Sequence, residues 1–235
     1  TSGASESNNL AIKGVASALR DRGRHVITVA TEHKSVLDSC SRLERDGWTA
    51  SRIPVDDDGF IDLEALRSAM TDGTTLVSVM AANNEIGILQ PLSEIAAIVH
   101  ERGALLHTDA AQAFGKDPLD VSTLGLDLLS LTAHKCYGPK GTGALYVRRQ
   151  RPKVPIDCQI DGGGHENGLR SGTLNVPGIV GLGACAEAAG AVLPEESRRL
   201  AGLRDRLLAG LRSSLAGVRV NGSLERRLPH NLHVS

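Results

Sequence analysis

The chain has 235 residues, a formal net charge of −1 and only 2% aromatic side chains. That length suits one large domain, or one domain and part of another, with a core built from Leu, Val, Ile and Ala. Without a basic patch or basic helix the composition argues against a nucleic-acid or membrane-surface protein, and no uninterrupted apolar run reaches the roughly 18 residues a membrane span needs.

Residues 1–9, TSGASESNN, are small and polar and lead into an amphipathic helix. Leu10, Ile12, Val15, Ala16 and Leu19 mark its apolar side, and Gly23 ends it. Small residues before a helix leave backbone N–H groups free for an anion, which the helix dipole also favours. Gly3, Ala4 and Ser5 are therefore candidates for a phosphate cradle, although an ordinary serine-capped helix looks similar. There is no secretory signal, and because Thr1 already falls inside this motif, the natural start is expected earlier.

Residues 25–30, HVITVA, read as a strand, and TEHKSVLDSC then opens a second helix that Gly47 ends. His33 lies at that junction, where an imidazole can stack on an aromatic ring or simply cap the helix. A strand at 48–55, a DDDG turn and a short helix at 63–70 follow. Residues 76–82 are almost continuously apolar, as a strand buried on both faces requires. They deliver Asn83 and Asn84, either a turn-forming pair or a pair with one amide facing a ligand. Pro91 opens a helix that runs to Gly103, with Ile95, Ile98 and Val99 turned inward.

The stretch ALLHTDAAQAFGK places Asp109 just past a short apolar strand at 104–107. It can cap a helical segment at 110–114, or it can be a carboxylate that needs a cationic partner in a dry pocket. The next strand, 128–133, empties into HKCYGPKGTG, whose Gly138, Pro139, Gly141 and Gly143 forbid regular structure. Lys135 is thereby held at the C-terminal end of a buried strand. It is either a solvated loop lysine or, partly stripped of water, an amine able to attack a carbonyl. Residues 143–148 read as an antiparallel return strand.

Alternating strands and helices from 26 to 147 predict an α/β, doubly wound and mostly parallel sheet flanked by helices. The ligand edge of such a sheet lies beyond the strands' carboxyl ends. Asn84, Asp109 and Lys135 all fall there. The loop GGGHENGLRSGTLNVPG, with His165, Glu166, Arg170 and Thr173, reads as a binding or subunit-contact loop. Helices are expected at 176–192 and 195–215, with strands at 218–221 and 232–235. Residues 1–192 then form a large, N-terminally incomplete domain and 193–235 the beginning of an incomplete small α/β domain. Cys40, Cys136, Cys158 and Cys185 show no metal spacing and suit a reducing cytoplasm.

TSGASESNN, TEHKSVLD, ANNEIG, HTDAAQAFGK, SLTAHKCYGPKGTGALYVRR and GGGHENGLRSGTLNVPGIVG together resemble the NifS/IscS-type cysteine desulfurases. These are class V aminotransferases of the pyridoxal-phosphate-dependent transferase fold type I. The resemblance implies that Lys135 holds pyridoxal 5'-phosphate as a Schiff base, that Asp109 pairs with the ring nitrogen and that His33 stacks on the ring. It further assigns Asn84 and Gln112 to the ring hydroxyl, and Ala4, Ser5, Thr132 and His134 to the phosphate. Ser5 stands where threonine is usual but keeps the hydroxyl. Thr173 matches the threonine that reaches the neighbouring subunit's phosphate, which implies a homodimer.

The implied activity converts L-cysteine to L-alanine and a protein-bound persulfide, for a sulfur-acceptor protein in iron–sulfur cluster assembly or other thiolation. His33 would shuttle protons near neutral pH. In this family the nucleophilic cysteine and the arginine that binds the substrate carboxylate are expected beyond Ser235, so the chain alone is expected to be inactive. The alternatives are a selenocysteine lyase, a lyase or aminotransferase of the same fold acting on another amino acid, and a dimeric cofactor-binding scaffold.

Overall fold

A computed structural model describes residues 1–150 and 152–235. At its centre lies a six-stranded sheet in the order β2-β1-β3-β4-β5-β6. The strands are β1 (His25–Val29), β2 (Thr49–Ile53), β3 (Thr74–Ser78), β4 (Leu105–Asp109), β5 (Leu128–Thr132) and β6 (Gly143–Val147). The first five are parallel and β6 returns antiparallel. β1, β3 and β4 are buried at every position, as strands covered on both faces must be.

The period-2 alternation of the strands feeds two apolar layers. On one face Val26, Leu76 and Leu128 meet Ile12 and Val15 of α1 (Ala4–Leu19) and Val36 of α2 (Lys34–Arg45). On the other, Ile27, Val77, Leu106 and Leu129 meet Leu66 of α3 (Leu63–Ala69) and Ile95 and Val99 of α4 (Leu92–Glu101). The doubly wound α/β architecture follows from that division.

From β1 the chain steps outward to β2 and then back past β1 to β3. The crevice beyond the carboxyl ends of β1 and β3 is a topological switch point, where open α/β sheets place ligands. β3 begins two residues earlier than the apolar run suggests and ends at Ser78. Its continuation still follows β4, because Val79 N–H donates to His107 O at 3.0 Å and Ala81 N–H to Asp109 O at 3.0 Å. Asn83 and Asn84 therefore arrive beside the end of β4.

The last third departs from expectation. The expected pair of helices is one helix, α5 (Val176–Ser214), which runs unbroken through Pro194 and across the expected boundary after residue 192. Proline removes one i to i−4 bond, and the flanking Ala, Leu, Glu and Arg residues have enough helix propensity to carry the helix past it. By length and composition α5 also contains a window apolar enough to span a membrane. Glu187 and the frequent glycines interrupt the run and hide this from a residue-by-residue count. Val176, Ile179, Val180, Val192, Leu203 and Leu207 are exposed along it. The two expected C-terminal strands are reduced to one antiparallel bridge, Val220 with Val234.

At the end of the sheet away from the crevice, Asp127 is fully buried. It accepts hydrogen bonds from Leu106 N–H at 2.7 Å, Arg148 Nε at 2.7 Å and His100 Nε2 at 3.0 Å. Burial pushes its carboxyl up, but His100, the Leu106 N–H and Arg148 outweigh burial and hold it below the ordinary carboxylate value. Asp127→Ala leaves those donors facing an uncompensated gap and is expected to destabilise the fold by about 3–5 kcal/mol in urea unfolding. A loss below about 1 kcal/mol, the range of an exposed pair, would show that this cluster does not hold β4, β5 and β6 together.

Candidate active site

A cavity of about 500 Å³ opens at the switch point. One wall is the start of α1, where Gly3 is the N-cap and no side chain caps the helix. The first-turn N–H groups of Ala4 and Ser5 are therefore left for an anion. Thr1 fixes this terminus to the edge of the sheet through a pair of backbone bonds with Gly143, at 3.1 and 2.9 Å. The approach requires glycine. A Cβ at residue 143 would stand 2.5 Å from Leu131 O and 2.6 Å from Gly3 Cα. Thr132, buried at the end of β5, offers its hydroxyl beside the cradle and contacts His134 Nδ1 at 3.0 Å.

The opposite wall carries His33 at the end of the β1 turn. Its Nδ1 accepts from Ser35 N–H at 3.1 Å and so caps α2. In the neutral ring that bond assigns the proton to Nε2. The two asparagines divide their work. Asn83 is spent on backbone, accepting from Glu85 N–H and Ile86 N–H at 2.9 Å each and donating to Thr31 O. Asn84 is exposed and lines the cavity, as does Gln112.

Asp109 closes β4 at 5% exposure. Its Oδ1 accepts from Ala111 N–H at 2.9 Å and its Oδ2 from Asn8 Nδ2 at 2.6 Å. Oδ1 thus caps the turn after β4, although residues 110–114 form no helix, and Oδ2 is held by an amide of α1 at the cavity wall. Lys135 sits three residues past the end of β5, in a short 3-10 turn (His134–Cys136) that Tyr137 closes in the left-handed region at φ 59°. Amine and acid line the same cavity, together with Ala4, Ser5, His33, Asn84, Gln112, Thr132 and His134, whereas Asn83 and the loop residues His165, Glu166, Arg170 and Thr173 lie outside it.

Sequence reasoning missed Asn8 and Glu32. Asn8 is a fully buried amide on the apolar stripe of α1, one turn before Ala11 and Ile12. A polar residue on an inward stripe was the available signal. Glu32, next to His33, is a buried acid whose Oε1 accepts from Met80 N–H. Two residues before Asp109, buried His107 bolts three strands together, with Nδ1 2.8 Å from Ser78 Oγ and Nε2 2.9 Å from Ser130 Oγ. Burial pushes it down to about 3, so it is neutral at physiological pH.

Residues 1–234 match the aminotransferase class-V family. The chain belongs to that family. It is 52% identical over its whole length to cysteine desulfurase IscS of Ehrlichia chaffeensis and covers 57% of that protein. It is 53% identical to cysteine desulfurase IscS of Anaeromyxobacter sp. strain Fw109-5 and covers 58% of it. Among solved structures, a NifS-like protein superposes with a TM-score of 0.94 at 43% identity, the match covering all of this chain and 64% of that one. DndA from Streptomyces lividans superposes with a TM-score of 0.94 at 40% identity, covering all of this chain and 66% of that one. The chain thus spans somewhat more than half the length of the curated class-V relatives it matches.

In this class-V chain the glycine-rich loop is tied to the cradle. Arg170 Nε donates to Glu6 Oε1 at 2.8 Å, while Ser2 N–H donates to Glu6 Oε2 at 2.9 Å. Burial pushes the Glu6 carboxyl up, but the hydrogen bonds and charge of Arg170, with Ser2, outweigh it and hold Glu6 at about 2. A depressed folded value means that this pairing stabilises above the ordinary 4.5 and is lost as pH falls towards 2. Arg170→Ala should therefore be less stable than the parent at pH 7, with the difference shrinking between about pH 5 and pH 3 in urea unfolding. A difference that does not change with pH would assign the role of Arg170 to packing.

Proposed function

We propose that the full-length protein is a pyridoxal-phosphate-dependent cysteine desulfurase, which converts L-cysteine to L-alanine and an enzyme-bound persulfide. The observation that carries the reading is one cavity that joins an anion cradle, an amine and a buried carboxylate. Its support is a sequence about half identical to proteins named cysteine desulfurase. The residues fit the cofactor. Asp109 is a buried carboxylate with N–H donors but no ion-pair partner among the described residues. A pyridinium nitrogen is the kind of cation it lacks.

When bound, pyridoxal phosphate supplies an electron sink for the bonds at the substrate Cα. Lys135 supplies the amine that tethers it, and Lys135 Nζ carries protons at the same place once free. Asp109 keeps a ring nitrogen protonated through its negative charge. The N–H groups of Ala4 and Ser5, with the Thr132 hydroxyl and His134, hold the phosphate. Asn84 and Gln112 bind the ring hydroxyl, and His33 packs on the ring and exchanges a proton at Nε2. The thiolate that takes the sulfur belongs to a cysteine outside this chain.

Thr173 and the apolar flank of α5, both exposed, support a homodimer in which Thr173 reaches the neighbouring subunit's phosphate. The four cysteines are free, in keeping with a cytoplasmic protein, and the persulfide passes to a sulfur-acceptor protein, as in iron–sulfur cluster assembly. Lys135→Ala is expected to abolish the visible absorption band of the loaded protein and to lower persulfide formation on the order of 10³-fold. A band that persists would assign the tether to another lysine. Selenocysteine turnover in preference to cysteine would favour the lyase reading, and inactivity toward both a scaffold.

A further inference from the structure

Glu32 is 6% exposed and Asp109 5% exposed; Asp109 lines the cavity, and Glu32 lies behind its lining residues His33 and Met80, close enough for the Asp109 charge to act on it. They are not equally supplied with donors. Asp109 accepts from Ala111 N–H and Asn8 Nδ2, whereas Glu32 accepts only from Met80 N–H through Oε1. Glu32 Oε2 is buried and has no partner. No ion pair among the described residues involves Glu32.

The other ionisable groups that face it bring no counter-charge. Cys40 of α2 is a thiol that burial pushes up to about 12. Arg52, the nearby cation, is engaged with Glu44 at 2.9 and 2.8 Å. His33, the next residue in the chain, is turned to Ser35 through Nδ1. Burial first, and the Asp109 charge second, push the Glu32 carboxyl well above its ordinary value. Two like charges in one dry site do not both ionise, and the acid with fewer donors keeps its proton.

We propose that Glu32 is a positioning residue: an undissociated acid that joins the β1 turn bearing His33 to the β3 end bearing Met80, and leaves the crevice's negative charge on Asp109. The benefit to the site rests on the cofactor reading above, since a second carboxylate close to Asp109 would change the charge that Asp109 sets. The protonation itself does not depend on that reading.

The first experiment uses the full-length protein without cofactor. Urea unfolding of the parent and of Glu32→Gln is compared from pH 5 to pH 8. The raised folded value means that the parent gives up stability as pH rises above the unfolded value of 4.5, whereas the amide does not titrate. Glu32→Gln should therefore gain on the parent by up to about tenfold in the unfolding constant per pH unit. A constant difference across that range overturns the proposal. The second experiment follows pyridoxal phosphate binding by fluorescence. Glu32→Gln, which mimics the neutral acid, should bind within about threefold of the parent. Glu32→Leu, which strands the Met80 N–H, should bind about tenfold more weakly. Equal weakening of both variants, or tight binding by Glu32→Leu, overturns the positioning role. A parent that takes up no pyridoxal phosphate overturns the cofactor reading and leaves the pH comparison standing.

Discussion

A carboxylate stays charged in a dry crevice only where donors or a cation stand against it. Asp109 is that carboxylate, and much of the fold is arranged to supply its two donors. The Asn8 amide reaches it only because α1 packs its apolar stripe across the sheet, with Ala11, Ile12 and Val15 buried below it. The Ala111 N–H reaches it because the chain turns sharply as β4 ends. Behind both, His107 fixes the spacing of β3, β4 and β5 through two serine hydroxyls. A slip of one strand by one residue would turn Asp109 away from the crevice.

The same sheet order gathers the remaining groups. β1, β3, β4 and β5 all end at the crevice rim, so residues distant in sequence meet there without long connections. The anion cradle adds a helix start whose N–H groups are free and whose position is set by Gly143 pressed against Gly3. A side chain at residue 143 would push Gly3 away from the sheet and with it the helix start whose N–H groups an anion needs. Arg170 then offsets the negative charge that Glu6 would otherwise bring to that terminus.

The sheet, its direction and the rim position of Lys135, Asp109, His33 and Asn84 were legible in the sequence because each rests on a local pattern. Apolar runs of strand length, glycine after helices and a lysine in a glycine-rich loop need no knowledge of distant partners. What escaped was set by tertiary contact. Asn8 looked like part of a polar helix start, and only the position of β4 shows that it faces an acid. Glu32 read as one letter of a helix opening, and its burial depends on β3 closing over it. The helices expected at 176–192 and 195–215 are one, since an exposed helix can lose one hydrogen bond at Pro194 without breaking. The two asparagines could not be told apart until Asn83 was seen to spend its amide on the turn.

Three buried ionisable groups at and behind the crevice also show how environment acts on protons. His107 and Asp109 lie two residues apart on one strand, both buried, yet they meet different neighbours. His107 faces hydroxyls on both ring nitrogens, which satisfy a neutral imidazole without any charge, and burial pushes it down to about 3. Asp109 faces N–H groups, which favour an anion. Glu32 faces one N–H and the field of Asp109, and is pushed upward. Burial among hydroxyl, amide and acid neighbours thus pushes His107 down and Glu32 up while giving Asp109 the donors an anion needs.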